Sequence, residues 1–303
     1  MDGIIALWKE KGMTSHDCVF KLRKILKTKK VGHTGTLDPN VDGVLPICVG
    51  KATKLVDFMV DKDKVYRGEI CLGFATDTQD LDGQVVAESF LDMPLTDEDL
   101  AEGLSSLEGW IDQVPPMYSA VKVKGRRLYD YARAGETVER PKRKARVDYF
   151  AQTGPMTYNK DKGRLTFPFE VKCGKGTYIR TLATDLGAYF GQEATLTQLT
   201  RIASTPFKAS DCYRLEEIKA MMEAGDDQSF LHPLDELLAQ YPIWQVPDHL
   251  KKLVANGAVL NQENLPTELA DKLPVRAYID GQLKALYGQH PDLSEQMKPL
   301  KMF

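Results

Sequence analysis

The run Val31-Gly32-His33-Thr34-Gly35-Thr36-Leu37-Asp38-Pro39 sets one carboxylate and one histidine in a loop of small residues, just before a proline. A carboxylate held on a fixed turn can act as a nucleophile and carry a covalent intermediate. The same residues also suit an ordinary turn, with Asp38 and Pro39 as punctuation and His33 as a loop histidine. Taken singly, the other candidates have equally plain readings. Tyr66 on an apolar strand face reads as core, and Arg180 in the first turn of a helix reads as a surface charge. Retaining glycosidases need two carboxylates about 5 Å apart, and no second acid here has an obvious claim to that role.

Metal and phosphate motifs fail on spacing. Asp38-Pro39-Asn40-Val41-Asp42-Gly43 matches the first half of a calcium loop, but Val49 stands where a bidentate Glu is required. Gly174-Lys175-Gly176-Thr177 hints at a phosphate loop, yet Phe169 occupies the place of the upstream glycine. His16, His33, His232, His249 and His290 form no ligand-spaced cluster. The five cysteines are scattered, odd in number and without a CxxC pair, which argues against a zinc site or a disulfide framework and favours a reducing cytoplasm. The expected chemistry is therefore organic, done by side chains without a cofactor.

These residues must be positioned by elements legible in the pattern. Thr14 caps a helix whose apolar stripe is Val19, Phe20, Leu22, Ile25 and Leu26. Residues 65–74 alternate, with Tyr66, Ile70, Leu72 and Phe74 on one side, as in a half-buried strand. Asp82-Gly83 marks a hairpin turn. Thr96 caps a helix expected to run to about Leu107, with Leu95 and Leu100 as a hydrophobic staple. Residues 165–173 alternate again, and a helix follows from about Tyr178 to Phe190, stopped by Gly191. Another runs from about Leu215 to Ala224. Past a proline-rich linker, Asp248 is expected to cap a short helix, and Val275–Ile279, Asp280-Gly281 and Leu283–Tyr287 read as strand, turn and strand. At 303 residues the chain has room for two domains, expected over 1–240 and 241–303.

A composition of 43% hydrophobic and 27% charged residues fits a soluble globular protein. No apolar run approaches the roughly 18 to 20 residues that span a bilayer, and no secretory pattern opens the chain. The net charge of −3 hides an asymmetry. Residues 121–146 hold ten basic residues and three acids, residues 21–30 hold six basic residues and no acid, and residues 211–303 hold fifteen acids and nine basic residues. Two basic patches in a near-neutral chain point to a polyanion partner; the alternative is a pair of solvated faces.

The loop does not stand alone. Gly32-His33-Thr34-Gly35-Thr36-Leu37-Asp38-Pro39, Gly43-Val44-Leu45-Pro46 and Gly50-Lys51-Ala52-Thr53-Lys54 together resemble the catalytic signature of the TruB-type tRNA pseudouridine synthases. Lys64-Val65-Tyr66 and Gly73-Phe74-Ala75-Thr76-Asp77-Thr78 look like the next motif of that family. Pro115-Pro116-Met117-Tyr118-Ser119-Ala120 and Arg127-Leu128-Tyr129-Asp130-Tyr131-Ala132-Arg133 look like its RNA-gripping insertion, expected over about 113–146. Gly176-Thr177-Tyr178-Ile179-Arg180-Thr181-Leu182 and Asp185-Leu186-Gly187 match its arginine motif. The blocks run in family order over about residues 9–205. The sequence departs from the pattern at Glu10, at Asn40-Val41-Asp42 and at Thr200.

The resemblance implies an α/β (α+β) pseudouridine synthase fold with a mixed, largely antiparallel sheet and a small β-rich, PUA-like C-terminal domain. It implies isomerisation of uridine in the T loop of tRNA (position 55) by base flipping, in a cytoplasmic monomer needing no protein partner. Asp38 would be the nucleophile, attacking C1′ of the sugar or C6 of the base. Arg180 would pair with it, and Tyr66 would stack on the base. Tyr178 and Leu199 would line the base pocket, with Met117 also in contact with substrate. His33 would fill the vacated stack. Lys122, Lys124, Arg126, Arg127, Arg133, Arg140, Lys142, Arg143, Lys144 and Arg146 would meet phosphates. Gly125 and Gly135 would let the insertion order only on RNA. A catalytically silent RNA-binding protein on the same scaffold is the second reading; intact Asp38, Tyr66 and Arg180 argue against it.

Overall fold

A computed structural model describes residues 1–303. The strands of its first 210 residues are, in chain order, β1 (Gly3–Lys9), β2 (Val31–His33), β3 (Asp42–Val49), β4 (Lys64–Leu72), β5 (Phe74–Thr76), β6 (Val85–Glu88) and β7 (Gly109–Gln113). They continue with β8 (Lys122–Val123), β9 (Arg126–Arg127), β10 (Arg143–Gln152), β11 (Thr157–Asn159), β12 (Arg164–Cys173), β13 (Ala194–Ser204) and β14 (Phe207–Lys208). The helices among and after them are α1 (Ser15–Ile25), α2 (Val56–Val60), α3 (Asp97–Ser105), α4 (Leu128–Arg133), α5 (Ile179–Tyr189) and α6 (Leu215–Glu223).

One mixed sheet organises this part, in the order β1-β3-β13-β4-β12-β10-β7, with β2, β11 and β14 attached at its sides. Every neighbour pair in it is antiparallel except β3 with β13. Alternation decides its faces: Leu165, Phe167, Phe169, Val171 and Cys173 of β12 are buried, and the residues between them are half-buried. The apolar sides of α1 and α5 join these strands in one core through Val19, Leu22, Leu182 and Leu186. α1 starts where expected because Thr14 and Asp17 form a reciprocal capping box, as do Thr96 and Asp99 at α3. α3 ends at Ser105, two residues short of the expected Leu107.

The β3–β13 crossing depends on a glycine. Gly43 has φ +124°, and a Cβ there would lie 2.2 Å from the carbonyl oxygen of Arg201 and 2.7 Å from its nitrogen. Neither backbone atom can give way without parting the strands. Gly43→Ala is therefore expected to cost more than about 2 kcal/mol, read as a lowered urea midpoint with an unchanged slope.

Two corrections concern boundaries. β7 and β10 pair from Arg143↔Gln113 to Val147↔Gly109, so the excursion from the sheet covers 114–142, not 113–146. Arg143, Lys144 and Arg146 stand on a core strand, in alternation with buried Ala145 and Val147. Asp248 does not cap its helix; it opens a short 3-10 turn after Pro247, and the α-helical part is Lys251–Ala255.

The C-terminal unit is a separate curled β domain with β15 (Ile243–Gln245), β16 (Leu260–Asn261), β17 (Val275–Ile279), β18 (Gln282–Gln289) and β19 (Gln296–Met302). It has its own core around Trp244, Val254, Tyr287 and Met297. Leu286 joins a buried cluster that also holds Ile4, Val44 and Phe207, and β19 lies against residues 50–55, where Lys54 Nζ donates to Met302 O at 2.7 Å.

Candidate active site

A cleft of about 440 Å³ opens over the middle of the main sheet. Its wall includes His33, Asp38, Tyr66, Tyr178, Arg180 and Leu199, brought together from four separate segments of the chain. Met117 lies on the adjoining turn, half-buried and off the cleft wall.

Asp38 sits on a loop fixed from behind. Lys9 Nζ donates to Pro39 O at 3.0 Å, Leu37 N donates to Ser15 Oγ at 2.9 Å, and Val41 N donates to Asp38 O at 3.1 Å. Lys9 is fully buried, and burial lowers its pKa. Glu10, at the departure from the family pattern, instead pairs with Arg214 at 2.6 Å and ties β1 to the start of α6. The Asp38 side chain remains 39% exposed toward the cleft.

Arg180 reaches Asp38 from the first turn of α5, with Nη2 3.0 Å from Oδ2. Its side chain is only 8% exposed, and its guanidinium is held on every side. Nη1 donates to Thr78 O and Nη2 to Tyr118 O, each at 2.9 Å, and Nε lies 3.6 Å from Asp80 Oδ2. Burial raises the Asp80 carboxyl; Thr78, which donates to it at 2.5 Å, and Arg180 act against that rise. A planar fork so engaged can aim the Asp38 carboxylate.

Two aromatic side chains of the cleft come from β4 and the loop before α5. Tyr66 is buried, and burial raises its phenol pKa while Arg201, its cross-strand partner, opposes the rise. Tyr178 precedes α5 and has no side-chain cap of its own. Gln113 supplies one: Tyr178 N donates to its Oε1 at 2.9 Å, and its Nε2 donates to Tyr178 O at 3.2 Å. Burial, followed by the charge of Arg201, lowers the His33 pKa and keeps the imidazole neutral at pH 7.

The basic residues are less uniform than a charge run suggests. Lys122, Arg127 and Arg143 are exposed. Arg126 pairs with Glu136 at 2.8 Å and stacks on Tyr131, while Arg133 stacks on Tyr129. Lys144 holds Asp112 at 3.2 Å, and Arg146 pairs with Asp63 and Asp148. Sequence reasoning missed Asp80, Gln113, Lys64 and Arg201. Gln113 is marked only by its place at a strand end before Pro115, whereas Lys64 opens the Lys64-Val65-Tyr66 block and Arg201 lies two residues from Leu199.

The sequence model for the N-terminal domain of TruB family pseudouridylate synthases matches residues 23–179. The chain belongs to the TruB family. The model for the tRNA pseudouridylate synthase B C-terminal domain matches residues 180–239. The chain is 49% identical over 302 residues to the tRNA pseudouridine synthase B of Pediococcus pentosaceus, covering all of this chain and 99% of that one. It is 44% identical over 303 residues to that of Bacillus pumilus, covering all of this chain and 97% of that one. Among solved structures, a Cbf5-Nop10-Gar1 complex aligns over 99% of this chain and 83% of the other, with TM-score 0.70 and 25% identity. An H/ACA RNP bound to a substrate RNA containing 2'-deoxyuridine shares the fold, with TM-score 0.68 at 22% identity over 99% of this chain and 84% of that one. As a TruB-family tRNA pseudouridine synthase, the chain is an isomerase that makes pseudouridine.

Proposed function

We propose that this enzyme converts uridine to pseudouridine in the T loop of tRNA, at position 55, using Asp38 as nucleophile on an everted base. The observation that carries the reading is the Asp38–Arg180 pair at 3.0 Å beside Tyr66 in one cleft. A target uridine begins stacked in an RNA loop, and turning it out costs on the order of a few kcal/mol. A neutral His33 filling the gap, with phosphate contacts from Lys122, Arg126, Arg127 and Arg143, would offset that cost. Tyr66 and Tyr178 would hold the flipped base against Leu199. The enzyme acts as a cytoplasmic monomer without a protein partner, with residues 1–240 as the catalytic domain and 241–303 appended.

Tritium release from 5-tritiated uridine in a T-arm transcript tests the reading. The native chain is expected to release tritium, with RNA affinity falling steeply as salt rises because phosphate contacts displace counterions. Tight RNA binding with no release would instead indicate a silent scaffold.

A further inference from the structure

Two buried cations under the cleft have no anionic partner. Lys64 opens β4 and is 6% exposed; Arg201 lies on β13 opposite Tyr66 and is 1% exposed. Both line the cleft. Lys64 Nζ donates to the carbonyls of Val60 and Lys62, each at 2.6 Å. Arg201 Nε donates to Val44 O at 2.6 Å and Nη2 to Gly35 O at 3.4 Å, while Nη1 donates to no protein carbonyl or carboxylate. Neither residue has a carboxylate within 4.0 Å, whereas Arg180 and Lys175 on the same cleft each hold an aspartate. The two converge beside Gly35, where a Cβ would lie 3.7 Å from Arg201 Nη1 and 3.8 Å from Lys64 Cε.

Burying like charges together without a counter-ion is strongly unfavourable. Burial first, and the charge of Arg201 next, pull the Lys64 ammonium down to about 8. Such a pair is useful where negative charge arrives during turnover, because preorganised cations stabilise it without reorganising. We propose that Lys64 and Arg201 are an electrostatic seat for the detached uracil, holding the negative charge the base carries while it is off the ribose. This rests on the reading of the cleft as the pseudouridine-forming site.

The chemistry supplies that charge. When the N1–C1′ bond breaks, its electron pair stays on N1 and spreads to O2 and O4, while an Asp38 oxygen takes C1′ as an ester. When C5 then bonds C1′ with a pair from the base, the ester bond breaks and its pair returns to the carboxylate. C5 loses its proton and N1 gains one, so the net change is isomerisation. If Asp38 adds at C6 instead, the C5=C6 pair moves toward O4, and the seat meets the same charge. A base that must rotate cannot keep directional hydrogen bonds to one edge; two cations attract it in every orientation.

Single-turnover conversion of T-arm RNA carrying either uridine or 5-fluorouridine at the target position tests the seat, read as loss of the starting nucleoside after digestion. Fluorine stabilises the uracil anion, so the seat contributes less to that substrate. Lys64→Met and Arg201→Met are each expected to lose about 100-fold or more on uridine, at near-native RNA affinity, and roughly tenfold less on 5-fluorouridine. Lys64→Arg retains most of the rate. The native rate falls above about pH 8 as Lys64, faced by Arg201, Cys173, Asp61 and Asp63, loses its proton, and that limb moves upward in Lys64→Arg. Equal losses on the two substrates, or losses confined to affinity, overturn the seat alone. A native chain that converts neither RNA overturns the T-loop reading and the seat with it.

Discussion

Asp38→Asn is expected to reduce tritium release by on the order of 10⁴-fold or more, as loss of a covalent nucleophile does elsewhere, while RNA affinity stays near native. Asparagine keeps the volume and one acceptor oxygen, so the loop held by Lys9 and Ser15 has no reason to move. What disappears is the negative oxygen 3.0 Å from Arg180. Removing a negative charge from a cleft that receives a polyanion does not weaken binding. Filter binding and single-turnover release on the same T-arm transcript separate the two effects. Release at the native rate by the variant would end the nucleophile assignment.

The sequence was most informative where local chemistry and the tertiary solution agree. Thr14 and Thr96 bring their own capping partners three residues on, and β12 alternates over its whole length, so these elements need no distant partner to be recognised. The strand β13 shows no such signature. Its buried and half-buried residues follow no clean period because two register irregularities interrupt its pairing with β4. Yet β13 carries Leu199 and Arg201 into the cleft. The edge of the insertion is blurred for a related reason: Arg143, Lys144 and Arg146 extend a basic run by composition, while their alternation with Ala145 and Val147 places them on the sheet. The sequence could not reveal Asp80, since its part in the site comes from the fold that brings β5 and the hairpin after it against Arg180. Asp38 itself was legible through the family blocks around it; its geometry was not.

Arg180→Lys tests whether the fork, and not only its charge, is required. The guanidinium spans Asp38, Asp80, Thr78 O and Tyr118 O at distances between 2.9 and 3.6 Å. An ammonium is a single point with three donors and cannot reach partners arrayed around a plane. Lysine would preserve one contact and leave at least one buried acceptor unpaired. Tyr118 and Thr181, which reaches Val114 O at 3.4 Å, also tie α5 to the root of the insertion. The lost fork therefore loosens the aim of Asp38 and one link to the 114–142 segment together. We expect turnover to fall about 10²- to 10³-fold, consistent with misaimed catalytic groups, and RNA affinity to fall only a few-fold. Arg180→Met should cost more, because it also leaves Asp80, already raised by burial, without its cation. Single-turnover rates of both variants, set beside their binding curves, check the order; a lysine variant that works at the native rate would reduce Arg180 to a charge.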